Sequence, residues 1–163
     1  MIYSFGVFEE DAQYRFLSNF YPCVISDPQG YKENKETTYF NWPSAEHYYQ
    51  SLKTTDIAEK RKIFCCKTAG QAKRYSNTIV LRDGWEKYKL IAMRFVIEDK
   101  FAQNPGLLKL LMNTYPQRLV EGNYWHDNYW GKCTCNNCKD IIGENHLGII
   151  LMTVRNNYLE KEK

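Results

Sequence analysis

Apolar residues fall into two rhythms along this chain, one with a period near 3.6 and one with a period of two. Between Trp42 and Lys53, the residues Ala45, Tyr48, Tyr49 and Leu52 stand at i, i+3, i+4 and i+7, which makes one stripe of a helix facing a core. Pro43 suits the first position of that helix, where its missing N–H costs nothing, and Asn41 or Ser44 can cap the exposed donors beside it. At roughly 100° per residue, Glu46, Gln50 and Lys53 then share a wedge of about 60° on the flank of the stripe, at the border between core and cleft. The same rhythm starts again at Trp85, with Tyr88, Ile91, Ala92 and Phe95 as its core positions. Asn104-Pro105 opens a further helix with Leu107, Leu108, Leu110 and Leu111 packed inside, ending near Asn113. Asn145 can cap a last helix whose stripe is Leu147, Ile150, Leu151, Val154 and Tyr158. Two shorter helices, over 57–64 and 69–75, follow the capping residues Asp56 and Thr68.

The period of two appears in residues 1–8, where Tyr3, Phe5 and Val7 lie on one side of a predicted half-buried strand. Cys23–Ser26 and Thr37–Phe40 are short β-prone runs, and the turn residues Asp27-Pro28-Gln29-Gly30 between them predict a hairpin with a polar tip over 27–36. Leu119–Glu121 reads as a brief strand, and the polar tail from Glu160 to Lys163 is expected to fray. Two loops carry side chains suited to a pocket: Phe16–Pro22, with Ser18 and Asn19 between aromatics, and Gly122–Gly131. The elements predict an α+β fold, a single compact, mainly helical domain with a small antiparallel sheet.

A length of 163 residues suits one well-packed domain and is short for two. The composition, 44% hydrophobic and 25% charged, is that of a globular protein, and the 13 tyrosines supply rings for cores or stacking pockets. A net charge of +3 is too weak to argue for a dedicated nucleic-acid surface. Neither a leader pattern nor a run of about 18 apolar residues is present, so no membrane contact and a cytoplasmic location are expected. Six cysteines in a reducing compartment are not a disulfide framework. Cys133, Cys135 and Cys138 crowd into one segment and offer three thiolates to a structural zinc, with His126, His146 or another cysteine as the fourth ligand; the alternative is a surface loop of free thiols.

The candidate chemistry lies in three places. Glu46 is a carboxylate held at a fixed angle by its helix, and the alternative is a residue that merely favours the positive end of the helix dipole. Lys67, Lys73, Arg74 and Arg82 gather cations that can hold a ribose phosphate or simply form a solvated face. In the loop before Gly131, Trp125, Tyr129 and Trp130 can stack on a heterocycle or plug the core, Asp127 can supply a second carboxylate, and Gly131 lets backbone approach a ligand.

Several of these stretches resemble one family. They are Phe16-Leu17-Ser18-Asn19-Phe20, Trp42-Pro43-Ser44-Ala45-Glu46-His47-Tyr48-Tyr49-Gln50 with Lys53, then Trp85, Met93 and Lys100-Phe101. Leu119-Val120-Glu121, Asp127, Trp130-Gly131, Gly143, Asn145, Leu147-Gly148, Leu151-Met152 and Arg155 complete the set. The pattern resembles the NADAR, or YbiA-like, domain family of N-glycosidases. Ser44 stands where that family usually has Thr, and Ser76-Asn77 where it often has Gly followed by a cation.

The resemblance implies a YbiA-like α+β fold and hydrolysis of a C–N bond between a ribosyl group and a base, without organic cofactor or catalytic metal. It implies a small-molecule substrate of one of two classes, phosphoribosylaminopyrimidine intermediates of riboflavin biosynthesis or ADP-ribose on guanine, the latter in nucleotide or nucleic acid. Glu46 is then the first catalytic candidate, and Asp127 the second, as partner acid or ribose anchor. Trp42 and Trp130 would border the base, and Lys53, Lys73 and Arg94 are the phosphate candidates. Ser18, Asn19, Phe20, Gln50, Trp85, Gly131 and Asn145 complete the substrate-binding set. Two rivals remain: a module that binds ADP-ribose or nucleotides without hydrolysis, and a zinc-stabilised nucleic-acid adaptor built on the cysteine loop.

Overall fold

The computed structural model describes residues 2–6, 9–28, 30–33 and 36–161. Met1, Val7, Phe8, Gln29, Asn34, Lys35, Glu162 and Lys163, which the sequence places in a strand, a hairpin tip and a tail, lie outside the described residues. The elements run β1 (Ile2–Gly6), a 3-10 helix (Glu9–Leu17), β2 (Pro22–Ser26), β3 (Tyr31–Glu33), β4 (Glu36–Thr38), β5 (Asn41–Ser44) and α1 (Ala45–Ser51). There follow α2 (Ile57–Phe64), α3 (Ala69–Tyr75), α4 (Trp85–Gln103), α5 (Pro105–Met112), β6 (Arg118–Asn123), β7 (Lys132–Cys133) and α6 (His146–Lys161). The fold is α+β. The chain divides into two units, Asn19–Asn104 and the pair of segments Met1–Ser18 and Pro105–Lys163.

The unit Asn19–Asn104 is built around α1. Trp42 is fully buried, stacked on Phe40 at 4.7 Å and on Tyr48 at 6.0 Å, with Phe64 edge-on at 5.8 Å. Tyr49 packs on Trp85, and Ala92, Met93, Val96, Ile97 and Phe101 of α4 are buried. The expected stripe on α4 is therefore corrected: Ile91 and Phe95 are 53% and 46% exposed, because residues 88–97 are so nearly continuously apolar that a second phase of the helix covers more carbon. The hairpin also differs from expectation. β2 pairs antiparallel with β5, not with residues 37–40, and β3, inside the expected tip, pairs antiparallel with β4, which takes Thr37 and Thr38 of that run.

In the other unit β1, β6 and β7 form a parallel sheet in the order β1-β6-β7, with Tyr3 opposite Leu119 and Asn123 opposite Cys133. The antiparallel expectation thus holds for the two-stranded pairs and is corrected for this sheet. Helix α6 lies against β6 at Gly148, where an added Cβ would collide with the Leu119 carbonyl oxygen. Leu147, Ile150, Leu151 and Val154 are buried, as their spacing predicts, and Arg155 is drawn inside by Thr114 Oγ1 and the Gln117 carbonyl, at 2.9 and 2.8 Å. On α5 only Leu111 is buried, and Leu110 is 46% exposed, so the four-leucine core expected there is corrected to one. Among the described residues no helix is long and apolar enough to cross a membrane.

Candidate active site

Helix α1 begins later than the proline rule predicts, at Ala45 rather than at Pro43. Asn41 to Ser44 stay extended as β5, so Pro43 sits in a strand rather than in a first helical turn; the register of β2 with β5 shifts between Pro22 and Ile25, and an irregular ladder tolerates a residue without an N–H. Ser44, with extended backbone, caps the helix and accepts from the His47 amide at 3.3 Å. The Ser44 hydroxyl also lies 2.7 Å from His47 Nδ1, while Nε2 lies 3.1 Å from the Cys66 carbonyl. A carbonyl only accepts, so Nε2 carries the proton and Nδ1 accepts from Ser44. Burial lowers the His47 pKa, against the opposing pull of the Cys66 carbonyl, and the neutral ring ties α1 to the turn after α2.

All seven residues of α1 are buried, Glu46 and Gln50 among them. Glu46 is 5% exposed, and its Oε1 accepts from Gln50 Nε2 at 2.7 Å, one helical turn away. Gln50 Oε1 in turn lies 2.5 Å from the Ser76 hydroxyl, to which Lys53 Nζ donates at 3.3 Å. Burial raises the Glu46 carboxyl above its ordinary value, and the Gln50 hydrogen bond and the charges of Lys73 and Lys53 pull it back. Lys53 is the reciprocal case: burial lowers its pKa, the Glu46 charge raises it, and Lys73 lowers it further. The Asn19 carbonyl accepts from the Glu46 amide at 2.9 Å, and Asn19 Nδ2 points at Met93 Sδ, 3.2 Å away. Asn19 Oδ1 is buried without a hydrogen-bond partner among the described residues. Such an acceptor costs about 1–3 kcal/mol unless a donor reaches it. Phe20 is 45% exposed, with Lys73 Nζ 5.8 Å from its ring centre.

Five expected residues, Asn19, Glu46, Gln50, Lys53 and Lys73, are thus brought together within one unit, with Phe20 beside Lys73. Ser76 joins them; it is absent from the expected set, and its signals in the sequence are a hydroxyl one position past the end of a short basic helix and its place in the Ser76-Asn77 departure from the family pattern. Trp42, expected to border the base, and Trp85, expected in the substrate-binding set, are corrected to core, since Trp42 is fully buried between rings and Trp85 is 5% exposed between Tyr49 and Tyr88. Arg94 pairs with Glu98 at 2.7 Å on the exposed side of α4, not with Glu46. A cavity of about 200 Å³ lined by Asp27, Tyr31, Tyr48, Lys60, Arg82 and Tyr88, among others, does not include Glu46. Lys60 is buried there, its Nζ donating to the Ser51 carbonyl at 2.5 Å and lying over the Tyr31 ring, and burial brings its pKa down to about 8.

The remaining candidates belong to the other unit. Ser18 follows the 3-10 helix, its amide donating to the Arg15 carbonyl at 3.0 Å. Asp127 Oδ1 accepts from the amides of Tyr129 and Trp130 at 3.1 and 2.8 Å, which makes it the carboxylate that shapes this loop. Trp130 is half-buried, edge-on to Tyr129 at 4.9 Å. Gly131 is corrected from ligand approach to packing, because a Cβ there would collide with the Glu121 carbonyl oxygen. Asn145, 2% exposed with φ 54°, spends its side chain on β6: Oδ1 accepts from the Glu121 amide at 3.0 Å and Nδ2 donates to the Leu119 carbonyl at 2.9 Å. Its backbone carbonyl starts α6, so it caps the helix with its main chain and clamps the strand with its amide. His126, Cys133, Cys135 and Cys138 bring their donor atoms within 4.8 Å of one another, whereas His146 pairs with Glu144 at 2.7 Å.

The family model for the NADAR domain matches residues 7–158. A riboflavin biosynthesis protein of Vibrio vulnificus is 35% identical over 155 residues, 94% of this chain and 38% of its own length. A chloroplastic riboflavin biosynthesis protein of Zea mays is 33% identical over 157 residues, 88% of this chain and 23% of its own length. The chain therefore spans well under half of these two longer relatives. The N-glycosidase YbiA of Escherichia coli is 34% identical over 120 residues, 70% of this chain and 69% of that protein. The solution structure of E. coli YbiA superposes with a TM-score of 0.73 at 30% identity, covering 98% of this chain and 86% of the other.

Proposed function

The chain belongs to the NADAR domain family, and from that premise we propose that it is an N-glycosidase hydrolysing the C–N bond between a phosphoribosyl group and a base. The observation that carries the proposal is Glu46, a carboxylate 5% exposed, held through Oε1 by Gln50 and acted on by the charges of two lysines. Cleaving an N-glycosidic bond builds positive charge on the sugar, and a fixed carboxylate beside the anomeric carbon stabilises that charge in a medium poor in water. With Oε1 engaged by Gln50, the attacking water is assigned to Oε2. Glu46 takes a proton from the water, the hydroxide oxygen bonds to the anomeric carbon, the C–N bond breaks with its electron pair on the leaving nitrogen, and that nitrogen takes a proton from solvent, to which Glu46 returns the one it accepted. A carboxyl whose pKa is raised by burial is better matched to this exchange near neutrality than a solvated one.

Lys53 and Lys73 serve the phosphate, and Phe20 the edge of the base. Asn19 Oδ1, a buried acceptor without a partner among the described residues, is assigned a sugar hydroxyl or a base N–H. The substrate class favoured is a phosphoribosylaminopyrimidine, in keeping with the names of the Vibrio and maize relatives. The test is incubation of the purified protein with a phosphoribosylaminopyrimidine and, in parallel, with an ADP-ribosylated guanine nucleotide, followed by mass spectrometry of the released base and sugar. Release of aminopyrimidine with multiple turnovers is expected. Release of guanine alone would move the substrate to the ADP-ribosyl class, and tight binding of either compound without release would replace the hydrolase by a binding module.

A further inference from the structure

We propose that His126, Cys133, Cys135 and Cys138 form a structural zinc site. One histidine and three cysteines converge here, one ligand atom each, all within 4.8 Å of one another. His126 Nδ1 lies 3.3 Å from both Cys135 Sγ and Cys138 Sγ. A tetrahedron with Zn–S of about 2.3 Å and Zn–N of about 2.0–2.1 Å has N···S edges of about 3.5 Å and S···S edges of about 3.8 Å, so the observed set needs only small displacements to close on an ion.

The backbone is already shaped for this. His126, a residue with a Cβ, sits at φ 70°, in the left-handed region that such residues seldom adopt. Its amide points at Cys133 Sγ, 3.3 Å away, and the Cys133 amide is fixed by Asn128 Oδ1 at 3.0 Å. The Cys138 amide donates to the Cys135 carbonyl at 3.0 Å, closing the Cys-x-x-Cys pair into a turn that aims both sulfurs the same way. Cys133 and Cys138 are 0% and 5% exposed, while Ile141 and Ile142, the large apolar residues beyond them, are 47% and 92% exposed. Cys133 at the end of β7 and Cys138 in the segment before α6 thus lie buried while the isoleucines of that segment face outward, the reverse of what a hydrophobically stabilised loop does. A metal cross-link supplies the stability that apolar burial does not.

Zinc is the ion that fits. Soft thiolates with one imidazole in tetrahedral disposition select it over hard cations, and four protein ligands leave no open position for a reacting water, which makes the site structural. A disulfide does not account for the cluster, because three thiols leave one over and the imidazole would have no part in it.

The test uses the full chain, expressed with zinc supplied, purified under reducing conditions and passed through a desalting column. Native mass spectrometry and elemental analysis are expected to give one zinc per chain, and cobalt exchange is expected to give thiolate-to-metal charge-transfer bands of a tetrahedral site. Cys135→Ser and Cys138→Ser should each lose most of the metal, whereas Cys65→Ser with Cys66→Ser, outside the cluster, should retain it. A strong chelator should lower the thermal transition of the wild-type chain, with turnover persisting at temperatures where the apo chain stays folded. Wild-type protein carrying well under one zinc after supplementation would overturn the proposal, as would full retention of zinc by Cys133→Ser with Cys138→Ser. Immediate loss of turnover on chelation with the fold intact would overturn the structural role. Because metal content and folding are read separately from substrate release, failure here is distinguishable from failure of the hydrolase assignment.

Discussion

At the scale of the residue, Glu46 and Gln50 are legible because a helix fixes angles: four positions apart, they are neighbours on one face, and here they share a 2.7 Å hydrogen bond. The tryptophans are not legible. A large ring in an aromatic-rich stretch has the same composition whether it fills a core or faces a ligand, and only packing decides. Trp42→Ala should cost about 3–5 kcal/mol of stability, because it removes a fully buried ring stacked on Phe40 and Tyr48. Trp130→Ala, at a half-buried position, should cost much less; paired chemical denaturation curves check both. A second expectation concerns pH. The folded chain holds the Glu46 carboxyl above its unfolded value of 4.5, so between the two pKa values the unfolded chain has released a proton that the folded chain keeps. Stability therefore falls as pH rises through that interval and is not regained above it. Glu46→Gln lacks this penalty, so its melting temperature should equal or exceed that of the wild type near neutrality, with the gap closing below about pH 4. A mutant markedly less stable at neutral pH would contradict the assigned cause of the shift.

At the scale of the element, the short helices are legible because their caps are local. Asp56 and Thr68 accept from the amides of Ala58 and Gln71, as their positions before α2 and α3 predict. The start of α1 is obscured because two signals compete: Pro43 favours a first helical turn, but pairing of β5 with β2 holds it extended and hands the cap to Ser44. Ser44→Ala should cost about 0.5–2 kcal/mol from the cap alone, read by urea denaturation, and Ser44→Thr should restore it. His47 adds a pH dependence to the stability of the folded chain itself. Its folded pKa lies below the ordinary 6.5, so the unfolded chain takes up the proton first and stability falls as pH drops through about 6.5. On α4 the period of 3.6 is present, but its phase cannot be chosen locally among residues apolar on both faces, and the tertiary contacts choose the face with Ala92, Val96 and Ile97.

At the scale of the whole molecule, the α+β class follows from counting elements, whereas the parallel sheet does not, since nothing local to Ile2 names Arg118 as its partner. The cluster around Glu46 is half legible: the α1 side chains share one helix, but Ser76, Lys73 and Asn19 reach it from other parts of Asn19–Asn104. The net charge of +3 contributes little to such a site, whose two lysines act locally. The measurement that bears most directly on the account is single-turnover release of base from a phosphoribosylaminopyrimidine by wild-type, Glu46→Gln and Asp127→Asn proteins of matched folded fraction. The account predicts a loss of about 100- to 10,000-fold for Glu46→Gln with substrate binding retained, and a smaller loss for Asp127→Asn. Folded Glu46→Gln protein releasing base at close to the wild-type rate would contradict it.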